Sequence, residues 1–328
     1  MSQESQSAKT CRVAAPARLH LGFLDLDGTL GRRFGSIGLA IDEPSTIVTV
    51  KRAGANEATG PERERALRLL GQLGPALGLT SHYAIEVERA IPAHAGLGSG
   101  TQLALAVAAA LLRLDPSLPT GNNRTLRDIG EIAERGARSA IGMAAFDCGG
   151  FVIDGGRGRS GRAPPVLARV AFPESWRILL ILDPSTTGVH GENEAQAFAA
   201  LPPFSEVRAA RLCHLALMRL LPGLAEADIK AFGDALTEIQ EVVGSHFATA
   251  QGGSPWTSAA VGRIAHRMKA SGAVGIGQSS WGPTGFAFVP DEAAAVRLYA
   301  TLVEEAKADG LEIQVVRGRN AGARIEVF

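Results

Sequence analysis

Residues 92–106 read Pro-Ala-His-Ala-Gly-Leu-Gly-Ser-Gly-Thr-Gln-Leu-Ala-Leu-Ala, so a glycine-rich turn runs directly into an alanine-rich helix. Gly96, Gly98 and Gly100 carry no Cβ atom, which lets a ligand approach the backbone closely. Free N–H groups at a helix start attract phosphate, and the hydroxyl groups of Ser99 and Thr101 lie beside them. A helix cap that follows a glycine turn explains this stretch equally well. The remainder of the chain must therefore discriminate between the two interpretations.

Strand-like and helix-like stretches alternate on both sides of this turn. Residues 12–24 and 83–89 have the pattern of strands, and residues 205–221, 227–247 and 258–271 that of helices. A glycine-bounded hairpin, a helix at 291–308 and a strand at 311–316 follow, which is half of a split βαβ arrangement. A stretch rich in Gly, Arg and Pro at 154–165 interrupts the pattern. We predict an α+β protein with domains at 10–165 and 175–328.

The composition limits the possible function classes. Among 328 residues, 33 Lys and Arg balance 33 Asp and Glu, so no overall field attracts nucleic acid or an acidic membrane surface. Cys11, Cys148 and Cys213 show no CxxC spacing, which argues against a disulfide framework and a structural zinc site. No apolar run is long enough to cross a bilayer, and no export signal opens the sequence. We therefore expect a cytoplasmic protein without nucleic-acid or membrane partners.

Three motifs resemble those of the galactokinase, homoserine kinase, mevalonate kinase and phosphomevalonate kinase (GHMP-kinase) superfamily. The central one is Pro92-x-x-x-Gly-Leu-Gly-Ser99, its phosphate-binding motif. The first is similar to Ala15-Pro-Ala-Arg-Leu-His-Leu-Gly22, and the third to Gly275-Ile-Gly-Gln-Ser-Ser-Trp-Gly-Pro-Thr-Gly285. This resemblance implies a two-domain GHMP-kinase-like fold with a ferredoxin-like carboxy-terminal domain.

Within the superfamily, the chain most resembles the β-ribofuranosylaminobenzene 5′-phosphate synthase family. Four stretches carry this resemblance: residues 18–39, Gly96-Leu-Gly-Ser-Gly-Thr-Gln102, residues 135–156, and Gly277-Gln-Ser-Ser-Trp-Gly-Pro-Thr284. Ala140 stands where that family's pattern leads us to expect glycine. The resemblance implies the decarboxylating union of phosphoribosyl pyrophosphate with 4-aminobenzoate or 4-hydroxybenzoate in tetrahydromethanopterin biosynthesis, with Mg²⁺ and a homodimer.

The same comparison argues against kinase activity. Superfamily kinases commonly carry Ser-Gly-Ile-Asp where this chain has Ser139-Ala-Ile-Gly142, and that aspartate is their usual catalytic carboxylate. Thr101 and Gln102 also replace small apolar residues. An ATP-dependent small-molecule kinase and a metabolite-sensing binding protein without turnover remain the alternative functions.

Departure of pyrophosphate from a ribose carbon builds negative charge on oxygen, so cationic and N–H donors are expected at the site. Arg18, Arg32, Arg135 and Arg138 are candidate phosphate clamps, with a solvated surface charge as the alternative for each. Asp25 and Asp27 alternate with leucines and, with Ser99, are candidate Mg²⁺ ligands, although a turn before Gly28 explains the two aspartates as well. Glu192 and Glu194 are weaker metal candidates. Catalytic candidates are Arg18, His20, Asp25 and Arg138.

The acceptor ring needs a polar rim and an apolar wall. His20 can orient its hydroxyl or amino group, or be structural. Trp281 can face the ring, or belong to the hairpin core. The predicted substrate-binding residues are Gly96, Gly98, Ser99, Gly100, Thr101, Gln102, Arg135, Ser139, Gln278, Ser279, Ser280, Trp281 and Thr284.

Overall fold

A computed structural model describes residues 10–115, 130, 132–133, 136, 138–189 and 191–328. In these residues, seven strands form one sheet. They are β1 (Thr10–Asp25), β2 (Phe34–Ala53), β3 (Glu57–Thr59), β4 (His82–Arg89), β5 (Phe151–Asp154), β6 (Val166–Val170) and β11 (Arg324–Val327). Their order is β11-β1-β2-β4-β3, and β5 joins the sheet by pairing with β2 and β6.

Strands β1 and β2 are the longest strands of this sheet, and they pair antiparallel. Its register runs from Thr10 opposite Lys51 to Asp25 opposite Phe34, with irregularities after Pro16 and after His20. Burial alternates along the first residues of β1, while the later part of β1 and the first part of β2 are buried on both faces. Each irregularity changes which face the following side chains occupy, so the register decides where the polar residues of β1 point.

Three helices cover the larger sheet: α1 (Arg63–Leu77), α2 (Ser99–Leu114) and α3 (Ile141–Asp147). Helix α2 is buried along most of its length. Its run of alanines gives it a thin profile, so it fits between the sheet and its neighbouring helices. The glycine turn of residues 94–98 leads into this buried helix.

The strands of the smaller sheet are β7 (Arg177–Leu182), β8 (Val274–Gln278), β9 (Gly285–Val289) and β10 (Glu312–Val316). Among the described residues they form an antiparallel sheet with the order β10-β7-β9-β8. Its principal helices are α7 (Ile229–Phe247), α8 (Ala259–Ala270) and α9 (Glu292–Ala308). The predicted α+β class and the ferredoxin-like carboxy-terminal unit are confirmed.

Shorter helices lie between β7 and α7. They are α4 (Gly191–Ala200), α5 (Glu206–Leu215), a π-helical segment (Ala216–Leu220) and α6 (Leu221–Ala225), while a 3₁₀ turn (Ala248–Ala250) follows α7. No described helix is both long and apolar enough to cross a membrane. Phe232 of α7 packs against Phe151 of the larger sheet and Phe288 of the smaller, with ring centroids 5.9 and 5.3 Å apart. One aromatic core thus joins the two sheets.

The larger sheet draws strands from outside the predicted amino-terminal range of 10–165. Strand β6 follows that range, and β11, at the end of the chain, pairs with β1 in the register Cys11 opposite Val327. The last strand therefore leaves the predicted 175–328 domain, because its pairing is with the edge of the other sheet. The precise domain boundaries stay a prediction.

Candidate active site

The glycine turn lies directly against the turn of the β8–β9 hairpin. Gly96 and Gly98 have φ values of 82° and 85°, which favour glycine. A Cβ atom on Gly96 would lie 2.2 Å from the carbonyl oxygen of Ser279. The Ser279 hydroxyl donates to the Gly96 carbonyl at 2.7 Å. The central and late motifs, which are far apart in the sequence, are therefore in direct contact.

Arg18 of the first motif is hydrogen-bonded to the glycine turn. Its backbone N–H donates to the Leu97 carbonyl at 3.1 Å, and its guanidinium donates to the Gly96 carbonyl. A Cβ atom on Gly98 would lie 3.2 to 3.4 Å from the Arg18 side chain. Burial lowers the pKa of Arg18 to about 10, and the nearby Glu194 carboxylate opposes this shift. Arg18 therefore stays a cation at neutral pH and brings positive charge to the turn.

Helix α2 begins at Ser99, immediately beyond the turn. The first N–H groups of a helix have no acceptor within it, and the helix dipole adds partial positive charge there. No side chain caps this end of α2 among the described residues. Because the Arg18 cation lies beside it, the start of α2 is suited to bind an anion.

The His20 side chain is enclosed beside the hairpin. Its backbone N–H donates to the Ser279 hydroxyl at 2.9 Å, while neither ring nitrogen has a hydrogen-bond partner among the described residues. The ring borders a cavity of about 20 Å³ together with Phe23, Gln240 and Ser280. Such a volume holds a water molecule but not an aromatic substrate. Burial, and secondarily the charge of Arg18, lowers the pKa of His20 to about 3, so the ring is neutral.

The hairpin residues that we predicted to form the polar rim of the site mostly make hydrogen bonds within and around the hairpin. The Gln278 amide bonds to Gln251 at 3.0 Å and accepts from the Thr257 N–H at 2.8 Å. Thr284 contributes its carbonyl to the Ser279 N–H at 2.9 Å. Trp281 is 1% exposed, and its ring stacks on Phe247 at 4.1 Å. In this structure Trp281 is a core residue and presents no open face to a ligand.

The start of α3 packs against the start of α2. The Gln102 side-chain amide donates to the Gly142 carbonyl at 2.8 Å. A Cβ atom on Gly142 would lie 2.9 Å from the Thr101 methyl group. Thr101 thus fills the space beside Gly142 that a larger side chain would need. The two departures from the kinase pattern, at residues 101–102 and at 142, are in direct contact.

Asp154 organises this region, although sequence analysis assigned it no role. Its buried carboxylate accepts from the N–H groups of Ser36, Ala140 and Gly156 at 2.8 to 3.0 Å, and from the Ser139 hydroxyl at 3.2 Å. Burial raises the pKa of Asp154, while these hydrogen bonds oppose the shift. Ser139 is therefore bound to Asp154 rather than exposed as a free donor.

Asp25 is the last residue of β1, and Asp27 lies in the turn that follows. One oxygen of Asp25 accepts from the N–H groups of Asp27 and Gly28 at 2.9 and 2.8 Å, and the Asp27 side chain is exposed. Asp25 lies seven residues beyond Arg18 on β1, roughly 20 Å along an extended strand. Since Ser99 lies near Arg18, Asp25 and Ser99 cannot bind the same metal ion in this conformation. Within the described residues, no group of three or more His, Cys, Asp or Glu side chains is suited to hold a metal.

Arg138 forms an ion pair of 2.6 Å with Glu194 of α4, and its guanidinium lies 5.2 Å from the centre of the Phe198 ring. Glu194 also influences Arg18, so it lies between two cationic side chains. This arrangement gives Glu194 a charge-neutralising role, and its metal binding stays a prediction. Arg135 lies outside the described residues, and Arg32 donates to the carbonyls of Gly155 and Gly156.

A cavity of about 400 Å³ opens beside Arg138. We call it the arginine pocket, because Arg33, Arg138, Arg157 and Arg159 line it around Phe34 and Phe198. The turn after β1 forms one wall, the loop after β5 another, and α4 the third. The sequence signal for this pocket is the Gly, Arg and Pro-rich stretch at 154–165, where the predicted domain boundary lies.

Family comparisons agree with this geometry. Residues 64–150 match the model described as GHMP kinases N terminal domain, and residues 220–308 match GHMP kinases C terminal. The beta-ribofuranosylphenol 5'-phosphate synthase of Methanothermobacter thermautotrophicus is 32% identical over 95% of this chain and 97% of its own. The protein of that name from Archaeoglobus fulgidus is 34% identical over 96% and 99%. The chain belongs to this synthase family of the GHMP-kinase superfamily. It is accordingly an enzyme of the transferase class.

Solved structures with the same architecture include kinases and a decarboxylase. The homoserine kinase of Cytophaga hutchinsonii is 18% identical, with a TM-score of 0.68 over 99% of this chain and 100% of that protein. The mevalonate diphosphate decarboxylase of Staphylococcus aureus is 15% identical, with a TM-score of 0.66 over 98% and 99%. At these identities the likeness shows the fold alone. The chemistry of this member of the synthase family must be argued from its own residues.

Proposed function

We propose that this protein transfers ribose 5-phosphate from phosphoribosyl pyrophosphate to a 4-substituted benzoate and releases CO₂ and pyrophosphate. The name of the curated relatives, a ribofuranosylphenol 5′-phosphate synthase, supports a product in which a ribose phosphate is joined to a phenol ring. The observation that carries the proposal is that Gly142 has no side chain at the position of the carboxylate that phosphoryl transfer commonly uses in this superfamily. The Thr101 methyl group lies 2.9 Å from where a Cβ atom of residue 142 would be.

In the proposed reaction, the bond from ribose C1 to pyrophosphate breaks, and its electron pair leaves with the pyrophosphate oxygen. The ring carbon that carries the carboxylate bonds to C1. The bond to the carboxylate then breaks, and its electron pair restores the aromatic ring as CO₂ departs. Since CO₂ leaves instead of a proton, this sequence requires no strong general base.

The chain's own groups are suited to the departing charge. The first N–H groups of α2 and the Arg18 cation lie together at the glycine turn, where they can stabilise negative charge on pyrophosphate oxygens. His20 is neutral and enclosed, so we assign it to orientation through a bound water rather than to proton transfer. Glu194 holds Arg138 in place beside the site.

Mg²⁺ is proposed as a partner of the pyrophosphate substrate. The described residues offer no ready-made cluster of ligands. Mg²⁺ is commonly bound by substrate phosphates and water with only one or two carboxylates, so a ready-made cluster of protein ligands is not required. We also propose a cytoplasmic homodimer acting in tetrahydromethanopterin biosynthesis.

Two labelled acceptors test the function. The protein is incubated with phosphoribosyl pyrophosphate, Mg²⁺ and either 4-aminobenzoate or 4-hydroxybenzoate carrying a carboxyl label, and released CO₂ is counted. Labelled CO₂ that depends on phosphoribosyl pyrophosphate supports the proposal, and the faster acceptor identifies the ring. ADP formation from ATP without CO₂ would assign a kinase instead, and tight binding without either product would assign a sensor.

A further inference from the structure

We propose that the arginine pocket binds the phosphate monoester end of a sugar phosphate. With the sugar identified from the proposed function, this is the 5-phosphate of phosphoribosyl pyrophosphate. The pocket is separate from the glycine turn to which the superfamily resemblance assigns phosphate binding. The two regions are connected through Arg138, which lines the pocket and pairs with Glu194, the carboxylate that also acts on Arg18.

The four guanidinium groups of the pocket differ in whether they already have a partner within the protein. Arg33 donates to the Leu26 carbonyl, and Arg138 is held by Glu194 at 2.6 Å, so both have fixed positions. Arg157 and Arg159 are exposed, and neither side chain donates to an acceptor or pairs with a carboxylate among the described residues. Two fixed cations and two free ones suit a ligand that arrives with several oxygen acceptors.

The turn after β1 forms one wall of the arginine pocket and leaves its interior open. Gly28 and Gly31 line the pocket or its edge, with φ values of 77° and 86°, and a Cβ atom on Gly31 would meet no atom within 4 Å. Asp25 shapes this turn through its hydrogen bonds to Asp27 and Gly28. Phe34 and Phe198 form an apolar surface of the pocket, against which the carbon skeleton of a sugar can lie.

The lining chemistry discriminates among the anions of the proposed reaction. No carboxylate is present among the described lining residues, so the pocket offers no protein ligand to the metal of magnesium pyrophosphate. A benzoate carboxylate must lose its charge as CO₂ leaves. Strong pairing of that group would stabilise the substrate more than the transition state and slow the reaction. A phosphate monoester keeps its charge throughout and fits best.

Direct binding measurements test this assignment without turnover. Ribose 5-phosphate and magnesium pyrophosphate are titrated separately, by calorimetry, into the wild type and into Arg157→Gln, Arg159→Gln and the double variant. We expect each single variant to weaken ribose 5-phosphate binding about 10-fold and the double variant on the order of 100-fold, with little change for magnesium pyrophosphate. Arg297→Gln is the matched control, because it removes one exposed arginine on α9 outside the pocket.

Ribose 5-phosphate affinity that is unchanged in the double variant would overturn the assignment, as would an equal loss for magnesium pyrophosphate. Weakened binding of 4-hydroxybenzoate instead of ribose 5-phosphate would also overturn it, in favour of an acceptor site. The CO₂ assay reports separately on the proposed function. If the wild type releases no CO₂ yet binds ribose 5-phosphate with the expected arginine dependence, the pocket assignment holds and the proposed reaction fails.

Discussion

The side-chain amide of Gln102 donates a 2.8 Å hydrogen bond to the carbonyl of Gly142, and the neighbouring Thr101 methyl group lies where a Cβ atom of residue 142 would need space. The first turns of α2 and α3 therefore pack closely together at Gly142, which has no side chain. Kinase relatives commonly carry aspartate at this position. The altered residues on the two helices are complementary in shape, so a change at one has consequences at the other.

Gly142→Asp is expected to destabilise the protein by about 1–3 kcal/mol without creating phosphoryl transfer from ATP, because the new side chain is forced against Thr101. Adding Thr101→Ala should recover part of that loss. Urea denaturation measures the stability, and ADP formation measures the activity. Gly71→Asp is the control, because Gly71 lies in helix α1 with open space around it. Equal stability of Gly142→Asp and wild type would show that Thr101 does not restrict this position.

Gly98→Val is expected to abolish binding of phosphoribosyl pyrophosphate while the protein stays folded. Valine at a φ of 85° is strained, and its branches would displace the Arg18 guanidinium and cover the start of α2. Calorimetric titration measures the binding, and circular dichroism verifies the fold. Gly272→Val carries a comparable backbone penalty, at a φ of 99°, in a turn with open space, and should bind normally. Normal kinetics of a folded Gly98→Val variant would exclude the glycine turn from the active site.

His20 is expected to make the protein acid-sensitive. Because its pKa falls to about 3 in the folded protein and is about 6.5 in the unfolded chain, the unfolded state binds more protons between these values. Stability due to neutral His20 is therefore complete above pH 6.5 and decreases as the pH falls towards 3. The decrease between pH 7.5 and 5.5 should be roughly 1 kcal/mol.

His20→Gln tests this linkage, since it removes the ionisable group. The difference in unfolding free energy between variant and wild type, measured by urea denaturation from pH 7.5 to 5, should shift in favour of the variant as the pH falls. His82→Gln, at an exposed position, should follow the wild type more closely. Parallel pH profiles for His20→Gln and wild type would mean that His20 can be protonated in the folded protein.

Asp25 combines a turn role with a possible charge role, and two substitutions separate them. Asp25→Asn keeps an oxygen to accept from Asp27 and Gly28 but removes the charge, so we expect it to raise the Mg²⁺ concentration needed for half-maximal activity. Asp25→Ala also removes the acceptor and should weaken ribose 5-phosphate binding by loosening the turn. An unchanged Mg²⁺ titration for Asp25→Asn would restrict Asp25 to the turn.

Asp154→Ala is expected to cost more than 3 kcal/mol of unfolding free energy, on the order of 1–3 kcal/mol for each buried donor left without an acceptor. Three backbone N–H groups and the Ser139 hydroxyl share its carboxylate. Thermal denaturation checks the loss. A variant as stable as the wild type would show that water replaces the carboxylate.

The sequence by itself determined the α+β class, the superfamily and the order of the three motifs. Glycine-rich turns, alternating strands and an alanine-rich helix express local backbone and burial requirements, which neighbouring residues specify. It also singled out Arg18 and Arg138 as candidate site residues, and glycine at position 142 where kinases of the superfamily commonly carry aspartate. The residues of the glycine turn and the hairpin could be expected at one site because each belonged to a motif.

Tertiary structure decided which of these groups face solvent and which face one another. The arginine pocket combines residues 28–34, Arg138, residues 157–159 and part of α4, which meet only when the strand register and the packing of α4 are set. Packing between distant segments makes Trp281 a core residue, encloses His20 and gives Asp154 its four donors. A side chain's chemistry depends on its desolvation and its partners, and both come from contacts between segments far apart in the chain.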